Sequence, residues 1–285
     1  MISIFQILIH LLWLIKSHIS EDDFIDDINN FTIDSIPKTK RKFNTDLLKL
    51  LAAPNITSKK YVYQQYDSTV RTNTVIGPGS DSAVVRLKDT NKALAISTDC
   101  NGRYVYLDPF NGAKMAVAES ARNVVCSGAQ PLAITNCLNF GNPENPIVMW
   151  QLSEAVDGMA ESCNAFELPV IGGNVSLYNE SQGTNIDPTP IVGVIGLIKE
   201  LVAAPPGLSW NDGDRIILLG PEASGLCGSA WAFQKGHRRG SLEMVDFELH
   251  QRLCALTRSL VTERLVTGLH DISTGGLGVC AAEMA

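Results

Sequence analysis

Four short polar, glycine-bearing stretches of this 285-residue sequence carry residue types that chemistry needs. In Gly77-Pro78-Gly79-Ser80-Asp81-Ser82, two glycines let the backbone approach a ligand closely, and Asp81 can hold a hard cation such as Mg2+. The same turn can be purely structural, and it lacks the lysine of a phosphate-binding P-loop. Ser97-Thr98-Asp99-Cys100-Asn101 sets a carboxylate directly after a β-rich run, where it either ligates a metal or caps the next turn. Thr135-Asn136-Cys137-Leu138-Asn139-Phe140-Gly141-Asn142-Pro143 offers amides that can read a purine or a phosphate, or can serve as asparagine turn chemistry. In Gly172-Gly173-Asn174-Val175-Ser176 a diglycine bends the backbone and Asn174 and Ser176 project to one side of an extended segment. An amide oxygen is an acceptable magnesium ligand, and a hydroxyl can meet a phosphate or substrate oxygen. Arg122, in Glu119-Ser120-Ala121-Arg122-Asn123, is a candidate phosphate ligand or a helix packing residue. No Ser/His/Asp or Cys/His nucleophile set stands out, and the five histidines are too scattered for spacing to nominate a base.

The elements that must position these stretches alternate in type. SAVVRL and KALAIST are β-rich runs joined at Asp89-Thr90-Asn91, a hairpin signal. Val117, Ala121, Val124 and Gly128 recur at helical spacing, predicting a helix over 112–128 that stops at its glycine. PLAITNCL, LPVIGG and PIVGVIGLI read as strands, and 145–166 as a second amphipathic helix with Leu152, Val156, Met159 and Cys163 on one face. The order ββαβαββ predicts helices packed on one face of a mixed sheet. DLLKLL, just before this unit, reads as a short helix. After Pro205-Pro206-Gly207 a second unit begins. It has a strand at RIILLG, a Gly/Ser-rich stretch, and a helix over 247–265 with Leu249, Leu253, Leu256 and Leu260 on one face. The last residues, GGLGVCAAEMA, read as a helix without a stop signal, so the second unit is expected to be cut short.

Composition narrows the class. With 45% hydrophobic and 19% charged residues there is material for a packed core and no sign of bulk disorder. A net charge of −7 argues against a nucleic-acid partner, which would call for a basic footprint. Seven cysteines, odd in number and without a C-x-x-C pair, fit reduced thiols in a cytoplasmic protein better than a disulfide framework or a zinc site. The apolar run over residues 1–15 is shorter than the ~20 residues of a membrane span and lacks the positive start of a secretory signal. It reads as a buried or adventitious extension, with an interfacial anchor as the alternative. An acidic block, Glu21 to Asp27, and a basic block, Lys38 to Lys42, follow as linker.

Taken in series, GPGSDSAVVRL, ISTDCNGRYVYLDP, AVAESARNVVCSGAQPLAITNCLNFGNPENP, VIGGNVSLYNES and HDISTGGLGV resemble the second half of phosphoribosylformylglycinamidine synthase, in its synthetase subunit of the small, multisubunit type. The resemblance runs from about Asn44 to the last residue. It implies an α/β fold like that of aminoimidazole ribonucleotide synthetase: a ββαβαββ-like domain over 44–204 and a truncated α/β domain over 205–285, after a non-matching stretch over 1–43. It implies an ATP-dependent C–N ligase of purine biosynthesis, an amidotransferase that converts formylglycinamide ribonucleotide to its amidine with glutamine as amido donor. ATP and Mg2+ are the implied cofactors. Asn136 and Gly173 match ATP contacts, Asn174 a magnesium ligand and Ser176 a substrate contact. The family pattern often has aspartate where this chain carries Asn136. Implied partners are a glutaminase subunit, a small accessory subunit and the synthetase's first half. That first half carries the family's catalytic histidine and a magnesium glutamate, so no catalytic residue is assigned here and the chain is expected to be inactive alone. The competing expectation is a catalytically dead nucleotide-binding or assembly module of the same fold. Aminoimidazole ribonucleotide synthetase itself is disfavoured by TNCLNFGNP and GGNVSLYNES.

Overall fold

The structure, a computed structural model, describes residues 42–221 and 225–285, and elements are numbered in chain order among these. The apolar N-terminal run, the acidic block and all of the basic block except Lys42 lie outside the described residues. Helices are α1 (Phe43–Leu51), α2 (Lys60–Tyr63), α3 (Gly102–Leu107), α4 (Pro109–Cys126), α5 (Pro146–Ala165), α6 (Ala230–Gln234), α7 (Phe247–Thr262) and α8 (Gly276–Met284). Strands are β1 (Thr74–Ile76), β2 (Ala83–Arg86), β3 (Ala93–Asp99), β4 (Gln130–Asn139), β5 (Val170–Ser176), the two-residue β6 (Glu180–Ser181) and β7 (Thr184–Asn185), and β8 (Thr189–Ile198).

Six strands form one mixed sheet in the order β1-β2-β3-β8-β4-β5, in which only β4 and β5 run parallel. The hairpin expected at 89–91 joins β2 and β3 with Ala83 opposite Ile96. α4 and α5 cover one face. Asp108 and Asn145 cap them through their side chains, each followed by proline at the first helical position, where a missing N–H costs nothing. These caps begin α4 three residues before the predicted start.

α4 lies between sheet and α5 because its contact positions are small. A Cβ on Gly158 of α5 would sit 2.1 Å from the Phe110 carbonyl oxygen, and Ser97 of β3 hydrogen-bonds Ser120 hydroxyl to hydroxyl at 2.7 Å. The core fills this layer with Val84, Val117, Val124, Ile134, Leu138, Phe140, Leu152, Met159 and Val192. The opposite sheet face is open to solvent at Ile96 and Ile191, 39% and 37% exposed.

The C-terminal elements pack around the end of α4. Phe247 of α7 meets Phe166 edge to face at 5.3 Å, and Val261 sits against Gly128, whose φ of +77° turns the chain out of α4. α1 docks far along the chain: buried Asp46 accepts from Trp231 Nε1 at 2.9 Å and pairs with Lys235 Nζ at 2.6 Å, beside α6. The strand expected at RIILLG does not form. Residues 214–219 carry no regular structure, and Ile216 and Ile217 are 70% and 75% exposed. A strand requires a neighbour to take its backbone groups, and no described segment pairs with this one. No helix among the described residues is long and apolar enough to cross a membrane.

Candidate functional site

The sheet gathers several of the chemistry-bearing stretches at one end. Asp99, the last residue of β3, lies opposite Val192 of β8, which lies opposite Asn136 of β4, which lies opposite Gly173 of β5. At about 4.8 Å per strand, this row spans three spacings. On α4, Glu119, Arg122 and Asn123 stand at i, i+3 and i+4 and so share a face. Asn123 Nδ2 donates to Asp99 Oδ2 at 2.9 Å. The HDISTGG loop arrives from the C-terminal unit: Arg122 donates from Nε and one terminal nitrogen to Asp271 Oδ2, at 3.3 and 2.9 Å. His270 bridges Asp81 Oδ1 through Nδ1 at 2.6 Å and Glu283 Oε2 through Nε2 at 2.9 Å. Gly79 (φ +100°) shapes the loop carrying Asp81, and Gly275 (φ +97°) shapes the turn into α8 behind His270.

Burial and mutual repulsion set the electrostatics. Burial, then the neighbouring Glu119 charge, push the Asp99 carboxyl up to about 8 against the pull of Asn123. Burial raises Glu119 to about 7, opposed by Arg122 and reinforced by Asp271. Burial alone would hold His270 down, but the hydrogen bond and charge of Asp81, with Glu283, raise it to about 9. Asp81, His270 and Asp271 bring ligand atoms within 4.8 Å of one another. Each is already engaged, Asp81 by His270 and Asp271 by Arg122, so these three form a charge-paired tie between the two parts of the chain. Asp99, Glu119 and Asp271 repel one another, and Asn123 Oδ1 is a buried acceptor without a partner. The oxygens of Asp99 and Glu119 are not in the converging group that Asp81, His270 and Asp271 form, so among the described residues they make a patch of negative charge rather than a ready set of metal ligands.

Asn136 and Gly173 face each other across β4 and β5: a Cβ on Gly173 would lie 2.1 Å from Asn136 Oδ1, so the glycine gives that amide its room. Asn174 and Ser176 do share a face, as the extended segment predicts. It is the face opposite Asn136, because their partners Cys137 and Asn139 alternate with buried Leu138. Asn174 is exposed on the edge strand, whereas the Ser176 hydroxyl exchanges hydrogen bonds with the Asn179 side chain at 3.1 to 3.3 Å. The geometry therefore brings Asn136 to Gly173, and Asn174 to Ser176, but divides the two pairs between sheet faces. Spacing alone did not single out His270. Its signal was the His270-Asp271 dyad five residues ahead of the Gly275-Gly276 pair.

Two family models match the chain: AIR synthase related protein, N-terminal domain, over residues 79–198, and AIR synthase related protein, C-terminal domain, over residues 211–285. Together they take in more than half of its residues, and the chain belongs to the AIR synthase related proteins.

Within that class, it is 47% identical over 260 residues to the phosphoribosylformylglycinamidine synthase subunit PurL of Alkaliphilus metalliredigens, covering 91% of this chain and 35% of that protein. Against PurL of Moorella thermoacetica it is 46% identical over 264 residues, 92% of this chain and 36% of that one. The structure of Thermotoga maritima PurL complexed with FGAR superposes with a TM-score of 0.51 at 28% identity, covering 73% of this chain and 30% of that chain. The chain spans about 35% of the length of the curated relatives it matches.

Proposed function

We propose that this chain is part of the synthetase that converts formylglycinamide ribonucleotide to formylglycinamidine ribonucleotide at the expense of ATP, an amidotransferase step of purine biosynthesis in the cytoplasm. The observation that carries the reading is the row Asp99–Val192–Asn136–Gly173, which sets the TDC, TNCLNFG and GGNVS stretches at one sheet end. Identity to PurL over nine-tenths of the chain supports it, as does the FGAR complex of the Thermotoga relative. We also propose a boundary near residue 205, between units over 44–204 and 205–285. The Pro205-Pro206-Gly207 linker supports it.

In this reading ATP transfers its terminal phosphoryl group to the amide oxygen of the substrate. Ammonia from a glutaminase subunit then attacks the amide carbon, and phosphate leaves with that oxygen. Asn136 contacts ATP through its amide, and Gly173 keeps the adjacent backbone clear of bulk. Asn174 fits a magnesium role because its side chain is exposed and makes no hydrogen bond among the described residues. When bound there, the ion would neutralise phosphate charge. Ser176 orients substrate through its hydroxyl, once released from Asn179. The catalytic histidine and a further magnesium carboxylate come from the synthetase's first half, and the small accessory subunit completes the assembly.

The test is complementation of a purine auxotroph by this chain with and without that first half, paired with an assay of purified protein on ATP, ammonia and the ribonucleotide. Growth and turnover are expected only with the first half present. Turnover by the chain alone would contradict the shared-site reading.

A further inference from the structure

Away from the carboxylate cluster, the start of α3, the loop before β8 and the segment after α6 bring two arginines together. Arg238 lies over the Tyr106 ring, 4.3 Å from its centroid, and donates from one terminal nitrogen to Asp187 Oδ1 at 2.7 Å. Its Nε is shut off from solvent without a partner. Arg103 lies 5.5 Å over the Phe233 ring and uses Nε on the Gly228 carbonyl at 3.2 Å, leaving its terminal nitrogens without a partner among the described residues. Each guanidinium stands in the field of the other and of Asp187. Other charges nearby are Glu243, beside Tyr104 of α3, and Arg239, the next residue along. One shared carboxylate leaves the arginine pair short of negative charge, and Arg238 and Asp187 are 40% and 41% exposed, open to a ligand.

We infer that Arg103 and Arg238 form a subsite for a phosphate group, free or as the ester end of a larger ligand. Rings that hold a guanidinium by its face leave the hydrogen-bonding edges free and already oriented, which lowers the ordering cost of gripping a tetrahedral oxyanion. A phosphate dianion matches two guanidiniums better than Asp187 does alone. Gly102 presses α3 against the loop that carries Asp187, where a Cβ would meet Thr189 Oγ1 at 3.2 Å, so the Arg103 wall is held beside the carboxylate that Arg238 grips. Thr189 lies opposite Asn139, and Asn139 opposite Ser176. A ligand anchored here by phosphate would extend toward Ser176. That extension rests on the synthetase reading, whereas the phosphate contact does not.

Calorimetric titration of the full 285-residue chain with inorganic phosphate, and separately with ribose 5-phosphate, tests the assignment. Saturable binding is expected. Arg103→Gln and Arg238→Gln should each weaken it by about tenfold or more, the scale of one charge-assisted contact. Asp187→Asn should tighten it, because the competing carboxylate charge is gone. Tighter binding of the ester would identify a phosphoester ligand, and equal binding free phosphate. Affinity unchanged in both arginine variants would overturn the subsite. So would weakening in Asp187→Asn equal to theirs, which would leave Arg238–Asp187 as a structural tie only. Melting temperatures of the three variants control for folding. Lost synthetase turnover with phosphate binding intact would count against the synthetase reading alone.

Discussion

Asn136 and Asn174 are nearly level in register yet face opposite sides of the sheet, so substitutions there separate roles that the sequence runs together. Asn174→Ala in the reconstituted synthetase should lower turnover by ~10²-fold or more, about 3 kcal/mol of lost electrostatic stabilisation. Because Asn174 is exposed on an edge strand, its melting temperature should stay put. Near-normal turnover with a lower melting temperature would end the magnesium role. Gly173→Ala should displace the Asn136 amide, since the new Cβ would fall 2.1 Å from Oδ1, and it also crowds the Asn136 carbonyl oxygen at 2.8 Å, so ATP binding and the melting temperature should both fall. ATP titration and thermal melting of that variant check it. His250 carries a pH signature. Burial, aided by the Arg122 charge, holds it down to about 4, against Phe166 at 5.0 Å. A group depressed below its unfolded value leaves stability intact above pH ~6.5 and removes it as pH falls from there toward 4. The loss should approach about 3 kcal/mol, since one pKa unit is about 1.4 kcal/mol. His250→Leu should flatten that acid limb in urea titrations, and an unchanged limb would assign it to other groups. Residue type and spacing nominated the stretches that hold Asn136, Gly173, Asn174 and Ser176, and motif resemblance alone gave each its expected role. Asparagine and glycine carry no periodicity, and His270 gains its role from a partner 189 positions away.

At the level of elements, two glycines set close helix approaches, Gly112 that of α4 to α3 and Gly158 that of α5 to α4. A Cβ on Gly112 would fall 2.5 Å from the Val105 nitrogen, and one on Gly158 2.1 Å from the Phe110 carbonyl, both rigid backbone. Gly158→Ala should therefore cost roughly 1–3 kcal/mol despite alanine's better helix propensity. A raised melting temperature would show that the helices can part at no cost. The long strands and the two long helices of the first unit were readable from their periodicity and from punctuation at Asn145-Pro146 and Gly128, whereas the Asp108-Pro109 start of α4 and the short β1 and α3 were missed. The C-terminal unit was less readable. RIILLG has the composition of a strand but lacks a neighbour among the described residues, and composition cannot supply one. The leucine stripe of α7 had the right period and Leu253 lies beside Gly220, yet Leu256 is 46% exposed and further contacts with the rest of the fold run through Phe247, His250, Gln251 and Val261. Periodicity gives a face its width but does not say which neighbour claims it.

At the scale of the molecule, one sheet face is packed and the other is open among the described residues. Ile96 and Ile191 look outward, and the edge strand β5 exposes Val170 and Ile171 at 55% and 63%. Such a surface drives association. The chain alone should be polydisperse in light scattering, and Ile96→Lys with Ile191→Lys should shift it toward monomer. A monodisperse monomer before substitution would contradict this. The layer order was legible because strand and helix signals alternate. The docking of α1 was not, because a nine-residue amphipathic helix does not name its partner. That docking has a consequence for how the chain is made. α1 is translated well before Trp231 and Lys235, which lie 185 and 189 positions from Asp46. At ~5–20 residues per second, the helix waits about 10–40 s on the ribosome before its clasp exists. Asp46→Ala reports when that contact forms: unfolding faster by several-fold with refolding unchanged is the outcome expected of a contact made after the folding barrier, and slower refolding would place it before. In a cell, α1 is then open to a holding chaperone until the residues of its clasp have emerged.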